Sequence, residues 1–331
     1  MCINDNGLPV RLLIVLLINT LWSALKLSCL TTYYYSFTLF LAYTAHSLYY
    51  RPLFMIESYD LHCHSTASDG ALTPTEVVQR ASECGVTALA LTDHDTTAGL
   101  AEAQRQADLV GLRLIPGIEL STNWQNKCFH IVGLGIDPNY APLANATLLL
   151  QSTRLERAEK IAYKLEQKRI PGALLAVKKA AGDGMITRSH FADFLLSQNH
   201  VSTQQEAFDR YLAQGKSAYV STTWAELDVA IKWITESGGV AVLAHPMRYK
   251  LTANWMNRLL TFFKEVGGLG IEVITSRMNP DELRRVSDYA KRYDLAGSVG
   301  SDFHNPNNPW VELGRLPPLP NHIKPVWELL N

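Results

Sequence analysis

Residues 60–70 read Asp60-Leu61-His62-Cys63-His64-Ser65-Thr66-Ala67-Ser68-Asp69-Gly70, and this stretch joins a short strand-like run to a polar loop. Side chains alternate between the two faces of a β-strand, so His62 and His64 point the same way while Cys63 points away. Two imidazoles on one face are suited to bind a single metal ion, and Asp69 follows in the loop. The stretch therefore predicts a metal site at the end of a strand.

Ligand-type residues recur along the chain beside apolar, strand-like runs. Besides the residues above, they are His94, Glu119, His130, His245, Asp302 and His304. In parallel barrels and open α/β sheets, catalytic groups gather at the carboxyl ends of the strands, and only His130 stands at a strand start. Six imidazoles and three carboxylates, without a thiolate, suit Mn²⁺, Fe²⁺ or Zn²⁺ at more than one site. We therefore predict a multinuclear metallohydrolase.

Bulk composition narrows the class of protein. The chain has 331 residues, a formal net charge of −1 and a pI of about 6.8, so no excess of basic residues marks nucleic acid as a bulk partner. The five cysteines show no CxxC pairing, which is typical of a reducing compartment. These features predict a cytoplasmic enzyme that attracts its substrate through the charge of its site.

The first 54 residues form an apolar extension. No charged side chain occurs from Leu12 to Leu25, and after Lys26 the next one is Arg51. Three interpretations stay open: one or two membrane spans within residues 10–50, a signal peptide, or translation that starts at Met55 and makes the upstream residues an artefact of start-site choice. The last is favoured because Met55 closely precedes the first strand and the flanking positive charge is weak.

Strand-like and helical patterns alternate after Met55, which favours a parallel α/β architecture. The predicted strands are Tyr59–His62, Ala88–Thr92, Leu112–Ile118, Phe129–Leu134, Val240–Ala244, Gly270–Ile274 and Ala296–Gly300. Helix starts are predicted where a capping residue stands three positions before a glutamate, at Thr73, Asn279 and Thr223.

Residues 138–220 lack this alternation of strand-like and helical patterns. Helices are expected there over Pro142–Gln167, Arg188–Gln198 and Gln204–Ala213. The segment is too long for a loop. We therefore predict an α/β metallohydrolase domain made of residues 55–137 and 221–331, interrupted by a helical insertion domain of residues 138–220.

The ligand set also predicts the reaction. Three carboxylates cannot neutralise three divalent ions, so the site keeps positive charge and favours an anionic substrate such as a phosphate ester. Coordination lowers the pKa of water, which makes a hydroxide at the metal centre the expected nucleophile, with Glu119 as the candidate bridging carboxylate. The chain lacks a GxSxG serine elbow and a GxxxxGK[ST] phosphate loop, which disfavours serine hydrolases and nucleoside triphosphatases.

Several motifs resemble those of the PHP (polymerase and histidinol phosphatase) family from about Ile56 almost to the C-terminus. They are His62-x-His64, Asp69, Thr92-Asp93-His94, Pro116-Gly117-Ile118-Glu119, His130, Ala244-His245-Pro246 and Gly300-Ser301-Asp302-Phe303-His304. The resemblance implies a distorted seven-stranded β/α barrel, a centre of three divalent ions that are often manganese, and phosphoester hydrolysis.

The resemblance also implies how the nine ligand positions divide among the ions. One ion would be held by His62, His64, Glu119 and Asp302, a second by Glu119, His130 and His245, and the third by Asp69, His94 and His304. Glu119, Asp302 and His304 would form the catalytic part of the centre. No ligand position is missing, so an inactive member of the family is disfavoured.

Within that family, the insertion and three further motifs resemble two kinds of enzyme. One removes the 3′-phosphate from 3′,5′-nucleoside bisphosphates, and the other is a 5′-to-3′ exoribonuclease that trims short 5′-phosphorylated RNA. The motifs are His245-Pro246-Met247-Arg248-Tyr249-Lys250, Ile186-Thr187-Arg188-Ser189-His190 and Gly215-Lys216. Both activities cleave the 3′ phosphoester of a nucleotide that bears a 5′-phosphate. Arg188, Lys216 and Arg248 are therefore expected to hold the phosphate that does not react, and no stable DNA partner is expected.

Three other functions stay open. A phosphatase for a small monoester such as histidinol phosphate would not need a second anion pocket. A membrane-tethered metal-binding protein would have residues 10–50 as its functional part. An amidohydrolase with the same HxH start would normally need a bridging lysine at a strand end, and no lysine is so placed.

Overall fold

Strands and helices alternate in the computed structural model, which describes residues 57–330. The described strands are β1 (Tyr59–Cys63), β2 (Ala88–Leu91), β3 (Arg113–Trp124), β4 (Lys127–Leu134), β5 (Ala225–Glu226), β6 (Val240–Leu243), β7 (Gly270–Thr275) and β8 (Ala296–Gly300). The described helices are α1 (Pro74–Glu83), α2 (Leu100–Val110), α3 (Ala141–Glu166), α4 (Ala173–Ala181), α5 (Arg188–Ser197), α6 (Gln204–Ala207), α7 (Leu227–Glu236), α8 (Ala253–Glu265) and α9 (Pro280–Arg292).

The interpretations of residues 1–54 lie outside the described residues. Among the helices of residues 57–330, none combines the length and the apolar character that a membrane crossing requires.

Seven of the strands form a nearly closed barrel in the order β1-β2-β3-β4-β6-β7-β8, and β5 pairs with β3 beside this path. Two backbone hydrogen bonds join the last strand to the first: the amide of His64 donates to the carbonyl of Phe303 at 2.9 Å, and the amide of Asp302 donates to the carbonyl of His62 at 2.8 Å. The predicted barrel is therefore confirmed, and its seam runs through residues of the predicted metal site.

The sheet is mixed, whereas the alternation of strands and helices favoured a parallel architecture. Strand β4 runs antiparallel to both β3 and β6, while the other neighbouring pairs are parallel. The cause is a two-residue turn at Gln125 and Asn126, whose φ angles of 46° and 61° reverse the chain directly after β3. Because β4 is reversed, His130 near its start lies at the rim where the parallel strands end. This reversal explains why His130, alone among the predicted ligands, stands at the start of a strand.

Two of the three predicted helix starts are confirmed. Thr73 and Asn279 cap α1 and α9, each with a reciprocal capping box and a proline in the first turn. The start predicted at Thr223 was wrong, because α7 begins at Leu227. The backbone before it is held by the sheet instead: the amide of Trp224 donates to the side chain of Asn123, and β5 pairs with β3.

The core has two layers that follow the alternation of side chains along the strands. In β2, Leu89 and Leu91 pack against the surrounding helices, whereas Ala88 and Ala90 belong to a second cluster of strand residues. The side chains of that second cluster, among them Leu61, Ile115 and Leu134, fill the inside of the barrel. The interior is thus packed, and the polar groups collect at its rim.

Helices α3 to α6 lie between β4 and β5 and have a hydrophobic cluster of their own. It is built around Leu165, Phe191, Leu195 and Leu212, all buried. The helix α4 was not expected from the sequence, and the predicted third helix ends in a π-helical turn at Phe208–Leu212. The boundaries 138–220 of a separate insertion domain stay a prediction.

The β3–β4 turn provides a test of the fold. Replacement of Asn126 by alanine should lower the free energy of unfolding by about 1 kcal/mol, because an alanine side chain is strained at positive φ. Replacement of the same residue by glycine should cause no loss, since glycine adopts this conformation freely. Urea denaturation of both variants measures the difference. Equal stabilities for the alanine and glycine variants would contradict the turn.

Candidate metal centre

The structure brings all nine predicted ligand residues to one rim of the barrel. His62 and His64 point their Nε2 atoms at each other at 3.1 Å, as the strand alternation predicts. Oε1 of Glu119 lies 3.4 Å from Nε2 of His62, and Oε2 lies 3.4 Å from Nε2 of His64. Oδ1 of Asp302 lies 3.5 and 3.3 Å from the same two nitrogens. These four side chains therefore present their donor atoms to one common point.

Glu119 also joins this group to two further imidazoles. Its Oε1 lies 3.0 Å from Nδ1 of His130 and 3.1 Å from Nε2 of His245. The other oxygen, Oε2, lies 2.8 Å from Nδ1 of His94. A single carboxylate thus faces several imidazoles on both of its oxygens, which is the arrangement expected of a bridging ligand.

Asp69 is the centre of a third group. Its Oδ1 lies 3.4 Å from Nε2 of His304, 3.9 Å from Nε2 of His94 and 4.0 Å from Nδ1 of His64. The donor atoms of these four residues all lie within 4.8 Å of one another. His94 connects the groups, because its two ring nitrogens face Asp69 and Glu119.

The residues present fit divalent cations. Among the described residues, the buried oxygens Asp69 Oδ1 and Glu119 Oε2 have no hydrogen-bond partner. Nδ1 of His94 also has no hydrogen-bond partner among these residues. It lies 2.8 Å from Oε2 of Glu119, but the angles between the two groups are not those of a hydrogen bond. A buried polar group left without a partner costs about 1–3 kcal/mol. Nitrogen and oxygen donors with unused lone pairs, collected at one place, are suited to metal binding.

The electrostatics hold several of these groups in the form that binds metal. Burial raises the pKa of the Glu119 carboxyl, but the imidazoles of His94, His130 and His62 outweigh burial and bring its pKa well below the usual range. Burial, together with the nearby His304 and His94, lowers the pKa of His64 to about 3. The carboxylate is therefore ionised and the imidazole of His64 neutral at pH 7, as metal ligands require.

Other imidazoles carry the compensating charge. Burial lowers the pKa of His130 and of His304, but carboxylates outweigh it, raising the pKa of His130 to about 10 through Glu119 and that of His304 to about 9 through Asp69. In the protein alone, protons therefore balance the buried carboxylates. A metal ion bound there must displace these protons, so binding releases protons.

Glu272 supports the site and was missed at the sequence level. Its Oε1 lies 2.6 Å from Nδ1 of His62, and its Oε2 accepts a hydrogen bond of 2.5 Å from the amide of His245. A carboxylate on one ring nitrogen of a histidine fixes the tautomer that leaves the other nitrogen free for metal. One feature of the sequence could have indicated this role: Glu272 is the only charged residue in the otherwise apolar run Gly270–Thr275. In the structure its side chain is buried.

The backbone is strained at the same rim. Asp95, His245 and Asp302 have φ angles of 54°, 30° and 53°, a region that residues with a side chain rarely occupy. The His245 and Asp302 amides are held by hydrogen bonds to Glu272 and to the carbonyl of His62. Such strained positions cluster at functional sites, where the surrounding structure fixes them.

Asp93 organises the loop that carries Asp69. Its carboxylate accepts hydrogen bonds from the amide and hydroxyl of Ser65, at 2.7 and 2.6 Å, and from the hydroxyl of Ser68 at 2.6 Å. All three groups are buried. Asp93 therefore positions the loop and does not face the metal centre, as strand alternation predicts.

An arginine pocket, defined by Arg154, Arg157 and Arg188, opens directly beside the metal centre. The cavity of about 80 Å³ is lined on one side by ligand-type residues, including Asp69, and on the other by the three arginines. Trp224 forms part of the wall, 5.2 and 5.3 Å from the guanidinium carbons of Arg154 and Arg157. The pocket is suited to an anion because three guanidinium groups meet there.

Within the part of the chain that the structure describes, Arg154 is the one arginine of the three that forms an ion pair with a carboxylate. Arg154 is buried, and its guanidinium donates to Asp95 at 2.8 Å and to Ser121 at 3.1 Å. Arg157 has a buried Nε atom without a hydrogen-bond partner among the described residues. Burial, then the charges of Arg188 and Arg154, lowers the pKa of Arg157 to about 9. This excess of positive charge would be relieved by a bound anion.

The predicted substrate contacts are separated in the structure. Arg188 lines the arginine pocket. Lys216 is exposed and is not among the pocket residues, while Arg248 is half-exposed and forms an ion pair with Asp302. Arg154 and Arg157 were missed, although their spacing of three places them on one face of the long helix α3.

Replacement of Glu272 by glutamine provides a test of the metal centre. A glutamine has one acceptor and one donor end, so it satisfies either His62 or the amide of His245, but not both. We expect Mn²⁺ affinity, measured by isothermal titration calorimetry, to fall about 10- to 100-fold. Glu265→Gln, at an exposed position on α8, is the matched control. An unchanged affinity in Glu272→Gln would contradict the positioning role.

The sequence is similar to those of several bacterial enzymes over most of its length. It is 48% identical over 277 residues to a 5′-3′ exoribonuclease from Haemophilus influenzae, which covers 83% of this chain and 99% of that protein. It is 45% identical over 273 residues to the 5′-3′ exoribonuclease Rnm of Escherichia coli, with coverages of 82% and 93%. It is 42% identical over 273 residues to a 3′,5′-nucleoside bisphosphate phosphatase from Chromobacterium violaceum, with coverages of 82% and 96%.

Solved structures share the fold. A Chromobacterium violaceum protein described as an amidohydrolase, with bound sulfate and no metal, is 42% identical with a TM-score of 0.79, covering 82% of this chain and 95% of that one. An inferred metal-dependent phosphoesterase from Bifidobacterium adolescentis is 27% identical with a TM-score of 0.71, with coverages of 82% and 93%.

The family model described as "PHP domain" matches residues 60–276, which run from the first strand of the barrel to the end of β7. This range is more than half of the chain and contains seven of the nine predicted ligands, all except Asp302 and His304. The chain therefore belongs to the PHP domain family.

Proposed function

We propose that this protein is a metal-dependent phosphoesterase that hydrolyses the 3′ phosphoester of a nucleotide bearing a 5′-phosphate. Its substrates would be 3′,5′-nucleoside bisphosphates, short 5′-phosphorylated RNA, or both. The observation that carries the proposal is the arginine pocket beside the nine convergent ligand residues. The relatives named for exoribonuclease and bisphosphate phosphatase activity support the same reaction.

The rim residues would hold three divalent ions, and we propose manganese. Glu119 would be shared between two of them, because imidazoles face both of its oxygens. Divalent ions at such a centre lower the pKa of water and stabilise negative charge on phosphoryl oxygens. Glu272 and Asp93 contribute by fixing His62 and the loop of Asp69, so the donor atoms are in place before the substrate arrives.

The arginine pocket would bind the 5′-phosphate, which does not react. Arg154 is oriented by Asp95 and Ser121, so its guanidinium is fixed in advance. Arg157 and Arg188 would donate to the phosphate from the insertion helices, with Arg188 also packed 5.7 Å from the ring of Phe208. Because the pocket adjoins the metal centre, a phosphate bound there would place the 3′ phosphoester of the same nucleotide at the metal centre.

Arg248 would serve the reacting phosphate. Its guanidinium contacts Asp302 at the metal rim, while half of its side chain is exposed. In the proposed reaction a water oxygen bonds to phosphorus and the bond from phosphorus to O3′ breaks. A bisphosphate then gives a nucleoside 5′-phosphate and inorganic phosphate. RNA gives a 5′-mononucleotide and a shorter RNA that again carries a 5′-phosphate.

Two alternatives are disfavoured by particular observations. A phosphatase for a single-phosphate substrate such as histidinol phosphate would leave the arginine pocket without a ligand. An amidohydrolase normally uses a bridging lysine, and none of the nine residues predicted as ligands is a lysine. The arginine pocket therefore favours a substrate with two phosphate groups.

Phosphate release provides the direct test. The full-length protein with Mn²⁺ should release phosphate from adenosine 3′,5′-bisphosphate far faster than from 3′-AMP, 5′-AMP or histidinol phosphate. A 5′-phosphorylated oligoribonucleotide, compared with the same sequence bearing a 5′-hydroxyl, tests the RNA activity by release of 5′-mononucleotides. Equal turnover of all four small substrates would contradict the second anion pocket.

Replacement of Arg157 by alanine isolates the role of the pocket. We expect kcat/KM for adenosine 3′,5′-bisphosphate to fall about 10- to 100-fold, since one charged hydrogen bond contributes about 1.5–3 kcal/mol. The value for 3′-AMP should change little, because this substrate has no 5′-phosphate. Lys179→Ala, at an exposed position in the insertion, is the control for lost positive charge. A parallel fall for both substrates would contradict a specific 5′-phosphate contact.

Metal removal tests whether the activity depends on divalent ions at the barrel rim. Treatment with EDTA should abolish phosphate release, and excess Mn²⁺ should restore it. Mn²⁺ at about 100 times its dissociation constant should add about 2.7 kcal/mol to the free energy of unfolding, measured by denaturation with and without the ion. Full activity in EDTA would contradict the metal dependence.

A further inference from the structure

The segment Gly184–Arg188 of the insertion lies directly on the loop that carries Asp69. The amide of Met185 donates to the carbonyl of Ala67 at 2.9 Å. A Cβ atom added to Gly184 would lie 2.3 Å from the carbonyl oxygen of Thr66, so only glycine permits this approach. The insertion and the metal-site loop therefore meet through their backbones.

Thr187 connects this contact to Asp69. Its hydroxyl lies 2.8 Å from Oδ2 of Asp69 and 3.1 Å from the amide of Ser189, and the residue is buried. The Ser189 amide can only donate, so the hydroxyl accepts there and gives its own hydrogen to Asp69. The direction of both hydrogen bonds is thus fixed by the groups involved.

The two oxygens of Asp69 have different surroundings. Oδ2 is bound by Thr187, whereas Oδ1 has no hydrogen-bond partner among the described residues and faces His304 and His94. Without the Thr187 contact, rotation of the carboxylate could exchange the two oxygens. The hydroxyl therefore keeps one oxygen turned towards the imidazoles.

We infer that Thr187 is a positioning residue through which the insertion completes the metal site formed by Asp69, His94 and His304. The next residue, Arg188, lines the arginine pocket. An anion bound by Arg188 would hold the Gly184–Arg188 segment in place, and so hold Thr187 on Asp69. This second step rests on the proposed function, and it couples anion binding to metal binding at one site.

The coupling must act in both directions. If a 5′-phosphate in the arginine pocket tightens metal binding at Asp69, the metal tightens phosphate binding by the same factor. A substrate with a 5′-phosphate would then complete the metal centre that cleaves it. A nucleotide without that phosphate would leave the Asp69 site weaker, which adds selectivity beyond direct contact.

A simple capping role for Thr187 needs a control. Thr187 is the N-cap of α5, and loss of an N-cap destabilises a helix wherever it occurs. Thr203 caps the short helix α6 in the same insertion through a hydrogen bond from the amide of Glu206, and within residues 57–330 its side chain makes no hydrogen bond to a residue of the metal rim. Thr203→Val therefore reproduces the loss of a cap without touching Asp69.

Isothermal titration of the full-length protein with Mn²⁺ tests the positioning role. Thr187→Val should weaken the binding event of lowest affinity at least about tenfold, or remove one ion from the stoichiometry, as expected for a residue that orients a ligand. Thr187→Ser keeps the hydroxyl and should restore binding, and Thr203→Val should match the unaltered protein. Unchanged Mn²⁺ binding in a folded Thr187→Val would overturn the inference.

The same titration in the presence of 5′-AMP or adenosine tests the coupling. In the unaltered protein, 5′-AMP should tighten the weakest Mn²⁺ site and adenosine should not, whereas in Thr187→Val neither should have an effect. An equal gain from 5′-AMP in both proteins would overturn the coupling through Thr187. If 5′-AMP does not bind the unaltered protein, the proposed 5′-phosphate pocket fails and the coupling fails with it. The titration without nucleotide still decides the positioning role.

Discussion

The rim of the barrel depends on one buried carboxylate. Glu119 is fully buried, and imidazole nitrogens lie within 3.4 Å of both of its oxygens. A carboxylate removed from water is stable only if positive charge or hydrogen bonds compensate for its lost hydration. The residues that compensate come from most of the strands around the barrel: they are His62, His64, His94, His130 and His245. Charge balance at Glu119 therefore depends on the register of the strands that carry these imidazoles, and divalent ions would supply positive charge there in place of protons.

The reversed strand β4 makes this arrangement possible. A barrel of parallel strands alone would bring only strand ends to the rim, but the β3–β4 hairpin extends past it. Glu119 consequently lies in the middle of the long strand β3, and not at a strand end as the sequence suggested. The hairpin also carries Ser121 and Cys128, which line the arginine pocket above the metal centre. A two-residue turn with two positive φ angles thus links the metal site to the neighbouring anion site.

The sequence predicted the barrel, and the convergence of the predicted ligand residues at its rim, for local physical reasons. Alternation along β1 determines that His62 and His64 share a face, and the seven longer strands were found within a few residues except for the extension of β3. The failures have tertiary causes. Thr223 has the pattern of a helix cap, but pairing of β5 with β3 delays the helix. Arg154 and Arg157 look like surface charges on a long helix, and only the packing of α3 turns them inwards.

The division of residues between barrel and insertion separates chemistry from selectivity. All nine predicted ligand residues come from the barrel strands and the loops that follow them, whereas the arginines of the pocket come from α3 and α5. In the proposed function, metal ions held at the barrel rim would act only on the reacting phosphate, and such a centre can serve many phosphoesters. The arginines would add a second positive site beside it. A substrate without the second phosphate would leave these guanidinium groups uncompensated, and such a penalty discriminates against the wrong substrate. The hydrogen bond from Thr187 of the insertion to Asp69 is the place where, in the proposed function, selectivity would also influence the chemistry.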